Sequence, residues 1–546
     1  MSNVPTNPPK EKKKIRAITF WPAFILLIAA LIYSIINGEG FLAMATAANN
    51  WLLQNLGWSY SLCSFLCLIA IAVAYFSPLG NVVLGGPDAK PILSKKNWAT
   101  ITLCTAMAAG ALFWGVAEPA YHLASPPVGI EPNSWEAAKF AMETMVVHWS
   151  IHPYSLYTLP VIAFAFAFFN MRKPFSVSSQ LSVITDKLHI KTGDKNLFPQ
   201  ILDCLLLFAM GLGILGTMCT GVLNMGGALN ELVGISGSTA WAIILVSVTV
   251  CFIISSISGI QRGIKWLSNI NVAIYFVLLF LMFVLGPASF MLNGTIEAVG
   301  GALANLPERL LTTGAYSGDS WAQSWTVFYA GSWASWAPIS ACFLARLGVG
   351  YKIKDLIKIN FGIPILFNIV WSGVFSNLAL NFHLTGKIDL IQVLNEQGAE
   401  GTVYAVLRQL PFSQIIILIF FVGLILSLIT AMDSTTNSLA ALSTTGISPE
   451  AQEAPVLLKV LWGTLFAVLS YLMLTLAGVD GIKMTSNLGG LPNILILFGG
   501  IACVFIIASN VNKYDVYSPN YQKKGISSSK KTDPEESAVE DTVSTT

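Results

Sequence analysis

Tryptophan and tyrosine side chains recur at helical spacing in two apolar segments of the sequence. The first segment contains Trp149, Tyr154 and Tyr157, and the second contains Trp333 and Trp336. Residues three to five positions apart lie near one face of a helix, so each set can present its rings on a single side. Aromatic faces in a dry cavity attract a quaternary ammonium ion by about 2 kcal/mol or more per well-placed ring. The two sets together predict a binding site for a cation that has no hydrogen-bond donors.

Two histidines near these aromatic residues have the spacing of a metal-binding pair. His148 and His152 are four residues apart, but the nearest acid in the sequence is Glu143 and no third ligand is evident. We therefore predict no metal site, and we expect His152 to cap or gate the helix that follows it.

The composition indicates that these residues belong to a membrane protein. Of the 546 residues, 54% are apolar and 11% are charged, whereas roughly a quarter of the residues in a soluble protein are charged. Apolar segments of about 20 residues, long enough to cross a bilayer as a helix, recur along the chain. The predicted fold is an all-α integral membrane protein with about twelve transmembrane helices, at 18–37, 57–77, 97–120, 150–170, 199–232, 237–258, 267–292, 321–348, 355–381, 411–445, 456–477 and 482–508, and with shorter amphipathic helices at 134–147 and 298–312.

Basic residues predict the orientation of these helices. If the amino terminus is inside, the loops on the cytoplasmic side are rich in Lys and Arg, for example Lys95 and Lys96, and the outer loops are poor in them. We expect a multi-pass protein of the bacterial inner membrane with both termini in the cytoplasm. Residues 1–17 form a basic tail, 18–508 the helical domain and 509–546 a disordered tail. The small net charge of +2 does not suggest a nucleic-acid partner.

Glycine and proline interrupt two of the predicted helices. The third contains such residues at 108–111 and 115–119, and the eighth contains them at 330–338. Breaks inside a membrane are tolerated where protein or a water-filled cavity covers the backbone. Because each interrupted helix precedes four others, we predict two structural repeats, at about 97–292 and 321–508, with the binding site between them. The alternative is that the glycines and alanines only allow close helix packing.

Five segments carry a resemblance to a known family: FWGVAEPAYHLASPP (113–127), HWSIHPYSLY (148–157), SGIQRGIKWLSNIN (258–271), WTVFYAGSWASWAPISACFLAR (325–346) and ITAMDS (429–434). They resemble segments of the betaine/choline/carnitine transporter family, and the similarity extends over about residues 15–510. The resemblance implies two inverted five-helix repeats (LeuT-like) preceded by two extra helices. It also implies a homotrimer in which each chain moves a small-molecule substrate by alternating access.

The resemblance assigns roles to the aromatic residues. It implies that Trp149, Tyr154, Tyr157 and Trp333 form a central aromatic box, and that Trp336 lines the inner path. One of these residues is Tyr where betaine carriers usually have Trp, and the family's run of tryptophans is reduced here to Trp333. The implied substrate is a small betaine-like zwitterion or quaternary ammonium compound of the glycine betaine, carnitine or choline class, and a more polar substrate stays open.

The resemblance also places a coupling ion. In sodium-driven members the ion site uses backbone of the third helix and hydroxyls of the tenth, at positions that match Cys104, Met107, Thr430 and Ala431. Asp433 follows in the same helix, and a carboxylate inside a membrane suggests ion handling. We expect symport coupled to Na⁺ or H⁺, with Na⁺ favoured, and no other cofactor.

Four positions depart from the family's patterns, so none of its three coupling patterns is met in full and antiport stays an alternative. Ala431 lacks the usual second hydroxyl, and Ile339 stands where a second sodium site has an aromatic residue. Asn271 stands where sodium-independent antiporters have Arg, and Gly110 where proton-coupled choline carriers often have an acid.

Other classes of protein fit the sequence less well. A membrane enzyme would need convergent catalytic groups, yet Glu118, His148, His152 and Asp433 lie on three spans without catalytic spacing. We therefore predict that the protein is not an enzyme. A carrier of an amino acid, which would hold a primary ammonium through backbone carbonyls, and a channel are the remaining alternatives.

Overall fold

The computed structural model describes residues 14–521 apart from 107–108, 192–195, 259–260, 446–453 and 520. Within these residues the chain is helical almost throughout. The helices are α1 Ala17–Ile36, α2 Gly38–Phe76, α3 Lys95–Ala106, α4 Ala109–Ala124, α5 Trp135–Val146, α6 His152–Ala165, α7 Ser182–Lys187, α8 Leu197–Val233, α9 Gly237–Ser258, α10 Gln261–Leu285, α11 Ala288–Ala304, α12 Leu306–Leu311, α13 Phe328–Leu347, α14 Ile353–Ile357, α15 Ile363–Leu384, α16 Leu390–Arg408, α17 Ser413–Leu442, α18 Val456–Ser509 and α19 Val511–Tyr514.

The predicted fold class is confirmed. By length and composition, eight of the described helices can cross a membrane, or nine if one bent pair counts as a span. The longest, α18, contains Gly478 with a non-helical backbone (φ 51°) and covers both of the last two predicted spans. The third predicted span corresponds to α3 and α4 and the eighth to α13. The chain is an all-α, multi-pass membrane protein, and its eight candidate spans together with the further described helices are consistent with a fold of about twelve helices.

Several helix boundaries differ from the predicted ones. Helix α2 begins at Gly38, well before the second predicted span at 57–77. Polar residues such as Asn49 lower the hydropathy of its first half, so the sequence analysis missed that part of the helix. A bend of 110° at Gly286–Pro287 separates α10 from α11, which therefore begins well before the amphipathic helix predicted at 298–312. Helix α16 was not predicted, since its moderately polar sequence gives no strong apolar signal, although it packs against α4.

The glycine-rich part of the eighth span is a site of close packing and not a break. Helix α13 is continuous from Phe328 to Leu347 and contains Pro338. A Cβ atom added to Gly490 of α18 would lie 2.4 Å from the Cα of Gly331, so the two helices touch through these glycines. The packing interpretation is therefore correct for this helix. In the third span, the predicted interruption at 108–111 lies partly outside the described residues, whereas residues 115–119 are helical.

The segment before α1 is joined to the end of α17. Ile15 forms an isolated β-bridge with Thr444, and the backbone N–H of Arg16 donates to the carbonyl of Ser443. The guanidinium group of Arg16 lies 2.7 Å from a carboxylate oxygen of Asp203 on α8, and both side chains are buried. A buried charge that loses its partner is costly because no water replaces the lost interaction.

We predict that Asp203→Asn lowers the stability of the protein by about 3–5 kcal/mol, since Arg16 is then a buried cation without its counter-ion. The measurement is the thermal unfolding midpoint of the detergent-purified protein. The control is Asp355→Asn, which removes the partner of Lys95 from a more exposed ion pair and is expected to cost at most about 1 kcal/mol. Equal midpoints for the two variants would contradict the prediction.

Candidate functional site

Three aromatic residues predicted from the sequence lie around a fourth, Trp333. The ring centroid of Trp333 lies 5.6 Å from that of Trp149, 6.0 Å from that of Tyr154 and 5.3 Å from that of Tyr157. The planes of Trp149 and Tyr157 are close to perpendicular to the Trp333 ring, at 83° and 79°. These four residues are called the aromatic box below. Rings in this arrangement present faces in different directions, as the sides of a cation site must.

Two helical elements position the aromatic box. Trp149 lies in a π-helical turn, Val147–Ile151, that joins α5 to α6, and Tyr154 and Tyr157 follow in the first turns of α6. Single π-helical turns are frequent at functional sites because the wider turn redirects side chains. Helix α13, which carries Trp333, packs directly against α6. The side-chain amide of Asn368 on α15 donates to the Tyr154 hydroxyl at 2.9 Å and fixes its position.

The environment of Trp149 explains the glycine at position 110. A Cβ atom added to Gly110 would lie 3.3 Å from the Trp149 ring, which is already a tight contact. An acidic side chain at this position would therefore displace Trp149. Trp336 is partly buried one turn beyond Trp333 on α13, and it packs beside the core without contributing a ring contact to the aromatic box among the described residues.

A buried carboxylate next to the aromatic box was not singled out as a site residue by the sequence analysis. Glu118 on α4 is fully buried and faces four donor groups. One oxygen, Oε2, accepts from the indole N–H of Trp149 at 2.7 Å and from the hydroxyl of Tyr329 at 2.5 Å. The other, Oε1, lies 2.8 Å from Nδ1 of His148 and 3.1 Å from Nε2 of His122. Glu118 thus ties a side of the aromatic box to α4 and α13.

The structure groups His148 with different possible metal ligands from those considered in the sequence analysis. His148 and His152 had been considered as a pair, but the structure places His148 against Glu118 and His122 instead. One ligand atom from each of these three residues lies within 4.8 Å of the others, and all three residues are buried. His152 makes a different contact, with the hydroxyl of Ser64 at 3.0 Å. The residues that could hold a metal are therefore Glu118, His122 and His148.

The predicted ion-coupling residues are partly described. Thr430 on α17 donates to the carbonyls of Leu426 and Ser427, at 2.7 and 3.0 Å. The carbonyl of Ala431 accepts from the hydroxyl of Thr435 at 2.6 Å. Asp433 lies one turn beyond Thr430 and is largely buried.

Two further residues of the predicted ion site belong to the third span. Cys104 lies in α3, of which only the backbone is described at this position, and Met107 lies outside the described residues. Close to the α17 part of the site, the amide of Asn271 donates to the Ser427 hydroxyl at 2.9 Å. The prediction of an ion site at these positions therefore stays a prediction.

A lysine lies over an aromatic ring near the Glu118 cluster. The Nζ atom of Lys483, on the second half of α18, is 3.8 Å from the ring centroid of Trp325 and 5.5 Å from that of Tyr121. The Trp325 ring in turn lies 4.6 Å from the ring of His122. Trp325 and Tyr329 are both buried, so they are core residues.

These features define a class: a polytopic helical membrane protein with a buried aromatic site between packed helices. A sequence model of the betaine/carnitine/choline family transporters matches residues 18–513, and the chain belongs to this family. The resemblance drawn from the five segments is thereby confirmed.

The names of three similar proteins state three related but different substrates. The chain is 27% identical over 493 residues to the glycine betaine transporter OpuD of Bacillus subtilis (strain 168), covering 89% of this chain and 93% of the relative. It is 29% identical over 456 residues to the osmo-independent choline transporter BetT1 of Acinetobacter baylyi, covering 81% and 84%. An ectoine/hydroxyectoine transporter of Virgibacillus pantothenticus is 26% identical over 478 residues, covering 87% and 93%. The chain is a transporter of a family whose named substrates include betaine, choline and ectoine.

We predict that Glu118→Gln destabilises the protein by about 2 kcal/mol or more. The amide of Gln brings its own N–H donors against groups that also donate, and each buried donor left without an acceptor costs about 1–3 kcal/mol. The measurement is the thermal unfolding midpoint in detergent. The matched control is Glu297→Gln, since Glu297 is 64% exposed in its ion pair with Lys139. A midpoint equal to that of the control would show that Glu118 does not organise this region.

Proposed function

We propose that the protein is a secondary active transporter of a small zwitterion or cation with a quaternary ammonium group, of the glycine betaine, carnitine or choline class. The observation that carries this proposal is the aromatic box, in which three rings from one helical segment surround Trp333 of another. A trimethylammonium group has no hydrogen-bond donors, so ring faces are the protein groups that suit it best. Alternating access then follows from the family's use of sites between helical repeats.

A donor in the aromatic box suits the carboxylate of a betaine. The indole N–H of Trp333 is buried and has no hydrogen-bond partner among the described residues, so it can donate to a bound oxygen. This donor complements the carboxylate of a zwitterion, and the ring faces of the aromatic box complement its cationic group.

We predict that Trp333→Leu weakens substrate binding about tenfold or more, because the central ring supplies roughly 2 kcal/mol of cation attraction. The measurement is uptake of radiolabelled glycine betaine into proteoliposomes as a function of its concentration. Carnitine and choline are added as competitors to rank the three substrates. The control is Trp58→Leu, which removes a tryptophan that is 54% exposed on the outside of the helix bundle.

Each outcome of that experiment is informative about the aromatic box. Loss of affinity in Trp333→Leu but not in Trp58→Leu supports the proposal. Unchanged affinity in Trp333→Leu would refute the role of the box, and competition by an amino acid but not by the quaternary compounds would favour the amino-acid carrier.

The proposed coupling is sodium symport. Its support is the concentration of polar groups on α17 and α10 within the bundle, where the hydroxyl of Ser427 contacts both Asn271 and Tyr275 one turn before Thr430. Backbone carbonyls and hydroxyls of this kind suit a hard cation. Asp433 adds a buried carboxylate on the same helix. Antiport is the alternative, since Ala431 cannot contribute the hydroxyl found in sodium-driven relatives.

We predict that an inward Na⁺ gradient accelerates uptake severalfold over an equal K⁺ gradient, and that Thr430→Ala reduces this acceleration more than it reduces binding of the substrate. Uptake is measured in the same proteoliposomes, with a proton gradient as a third condition and Ser438→Ala, at an exposed hydroxyl of α17, as the control. Acceleration by a proton gradient alone would identify H⁺, and not Na⁺, as the coupling ion. Acceleration by internal substrate without any ion gradient would establish antiport.

The remaining proposals concern the setting of the protein. We place it in the bacterial inner membrane with both termini in the cytoplasm, supported by the distribution of Lys and Arg among the loops. Family membership supports a homotrimer and a transport role without enzymatic turnover. With this orientation, Glu118, His122 and the beginning of α13 lie in the outer half of the membrane.

A further inference from the structure

Three buried side chains converge on one point outside the aromatic box. The atoms are Oε1 of Glu118, Nε2 of His122 and Nδ1 of His148, and all lie within 4.8 Å of one another. In a tetrahedral Zn²⁺ site the ligand atoms are about 2.0–2.2 Å from the ion and hence roughly 3.3–3.6 Å apart. The two contacts of Glu118, at 2.8 and 3.1 Å, need only small side-chain rotations to reach this spacing.

We propose that Glu118, His122 and His148 form a binding site for a divalent transition-metal ion of the Zn²⁺ type, and that the bound ion holds the transporter in an inactive conformation. Two imidazoles and one carboxylate are a common ligand set for zinc, and a water molecule supplies the fourth ligand. This site departs from the expectation of no metal that the sequence alone supported.

The histidine tautomers can adapt to the ion without loss of a proton. In the metal-free structure both ring nitrogens that face Glu118 act as donors, because a carboxylate oxygen accepts. When an ion takes those nitrogens, the proton of His122 moves to Nδ1, which is buried and has no partner in the described structure. The proton of His148 moves to Nε2, which lies 3.2 Å from the Thr326 hydroxyl. Thr326 then orients a metal-bound imidazole, as such partners do in known metal sites.

The surroundings of the site both support and oppose cation binding. The second carboxylate oxygen of Glu118 accepts from Trp149 and Tyr329, so the carboxylate is held in one orientation before the ion arrives. The ammonium group of Lys483 acts electrostatically on Glu118 and on His122. This positive charge lowers the affinity for a second cation, so removing it should strengthen metal binding.

Metal binding at this place would act on transport through the aromatic box. His148 is the neighbour of Trp149 in the π-helical turn, and Glu118 and His122 belong to α4. An ion bound by all three would join α4 to that turn and restrain Trp149. Because Glu118 and His122 are 0% exposed and His148 2%, the ion can enter only when these helices separate, and it then stabilises their closed arrangement.

The first test is direct binding of ZnCl₂ and CoCl₂ to the full-length protein, purified with a histidine-free tag and treated with a chelator. The wild type is expected to bind one equivalent, and X-ray absorption is expected to report two imidazoles and an oxygen ligand. His122→Gln should weaken binding at least tenfold, since its amide can still donate to Glu118 but is a poor zinc ligand. Lys483→Gln should bind more tightly than the wild type.

The matched control for this test is His152→Gln, which removes a buried histidine that contacts Ser64 and not Glu118. It should bind as the wild type does. If His122→Gln does not give folded protein, His148→Gln tests the same loss. Absence of stoichiometric binding by the wild type, or equal binding by His122→Gln and His152→Gln, would overturn the site.

The second test is inhibition of uptake, which rests on the proposed transport function. Micromolar Zn²⁺ on the outer side should inhibit the wild type and His152→Gln and leave His122→Gln largely uninhibited, each relative to its own rate without metal, and a chelator should restore uptake. Stoichiometric binding without inhibition would refute the proposal that the bound ion holds the transporter in an inactive conformation. Binding by a protein that transports none of the substrates would refute the proposed function and leave the metal site intact.

Discussion

A single carboxylate in the interior of the helix bundle organises the candidate site. A negative charge in a bilayer-embedded core is costly unless every acceptor position is used. Glu118 meets this requirement with donors from three elements: α4 itself, the π-helical turn before α6, and α13. Because Trp149 is one of those donors, the position of a side of the aromatic box follows from where the charge is buried. The geometry of the candidate site therefore depends on how the charge of Glu118 is satisfied inside the bundle.

Part of the aromatic box could be predicted from a helical pattern, because Trp149, Tyr154 and Tyr157 lie close together in the sequence. Trp333 lies on another helix, α13, and only the family resemblance grouped it with the other three residues. The Glu118 cluster gives no such pattern. Its partner Tyr329 is 211 residues away in the sequence and His148 is 30 away. A single sequence gives no indication of contacts between residues that are so far apart along the chain. The only indication for this cluster is a charged residue in the middle of an apolar segment.

The fold shows the same division between local and distant information. Runs of apolar residues were sufficient to locate α8, α9 and α17 nearly to their ends. Glycine was ambiguous, because it serves both to end a helix and to let two helices touch. At Gly331 it serves packing, since the neighbouring surface is Gly490 of α18, a residue that no local pattern could identify. Helix α16 was missed because its sequence has no long run of apolar residues, although the helix packs against α4.

The junction between Ile15 and Thr444 has a practical consequence for building optical reporters. The first described residues are hydrogen-bonded to the end of α17, through Lys14 with Thr445 and Arg16 with Ser443. A fluorophore attached at Lys14 would therefore follow the movements of α17, although Lys14 and Thr445 are 431 residues apart in the sequence. A bulky reporter domain fused there without a spacer would restrict the movement of α17. Any such fusion therefore needs a flexible linker.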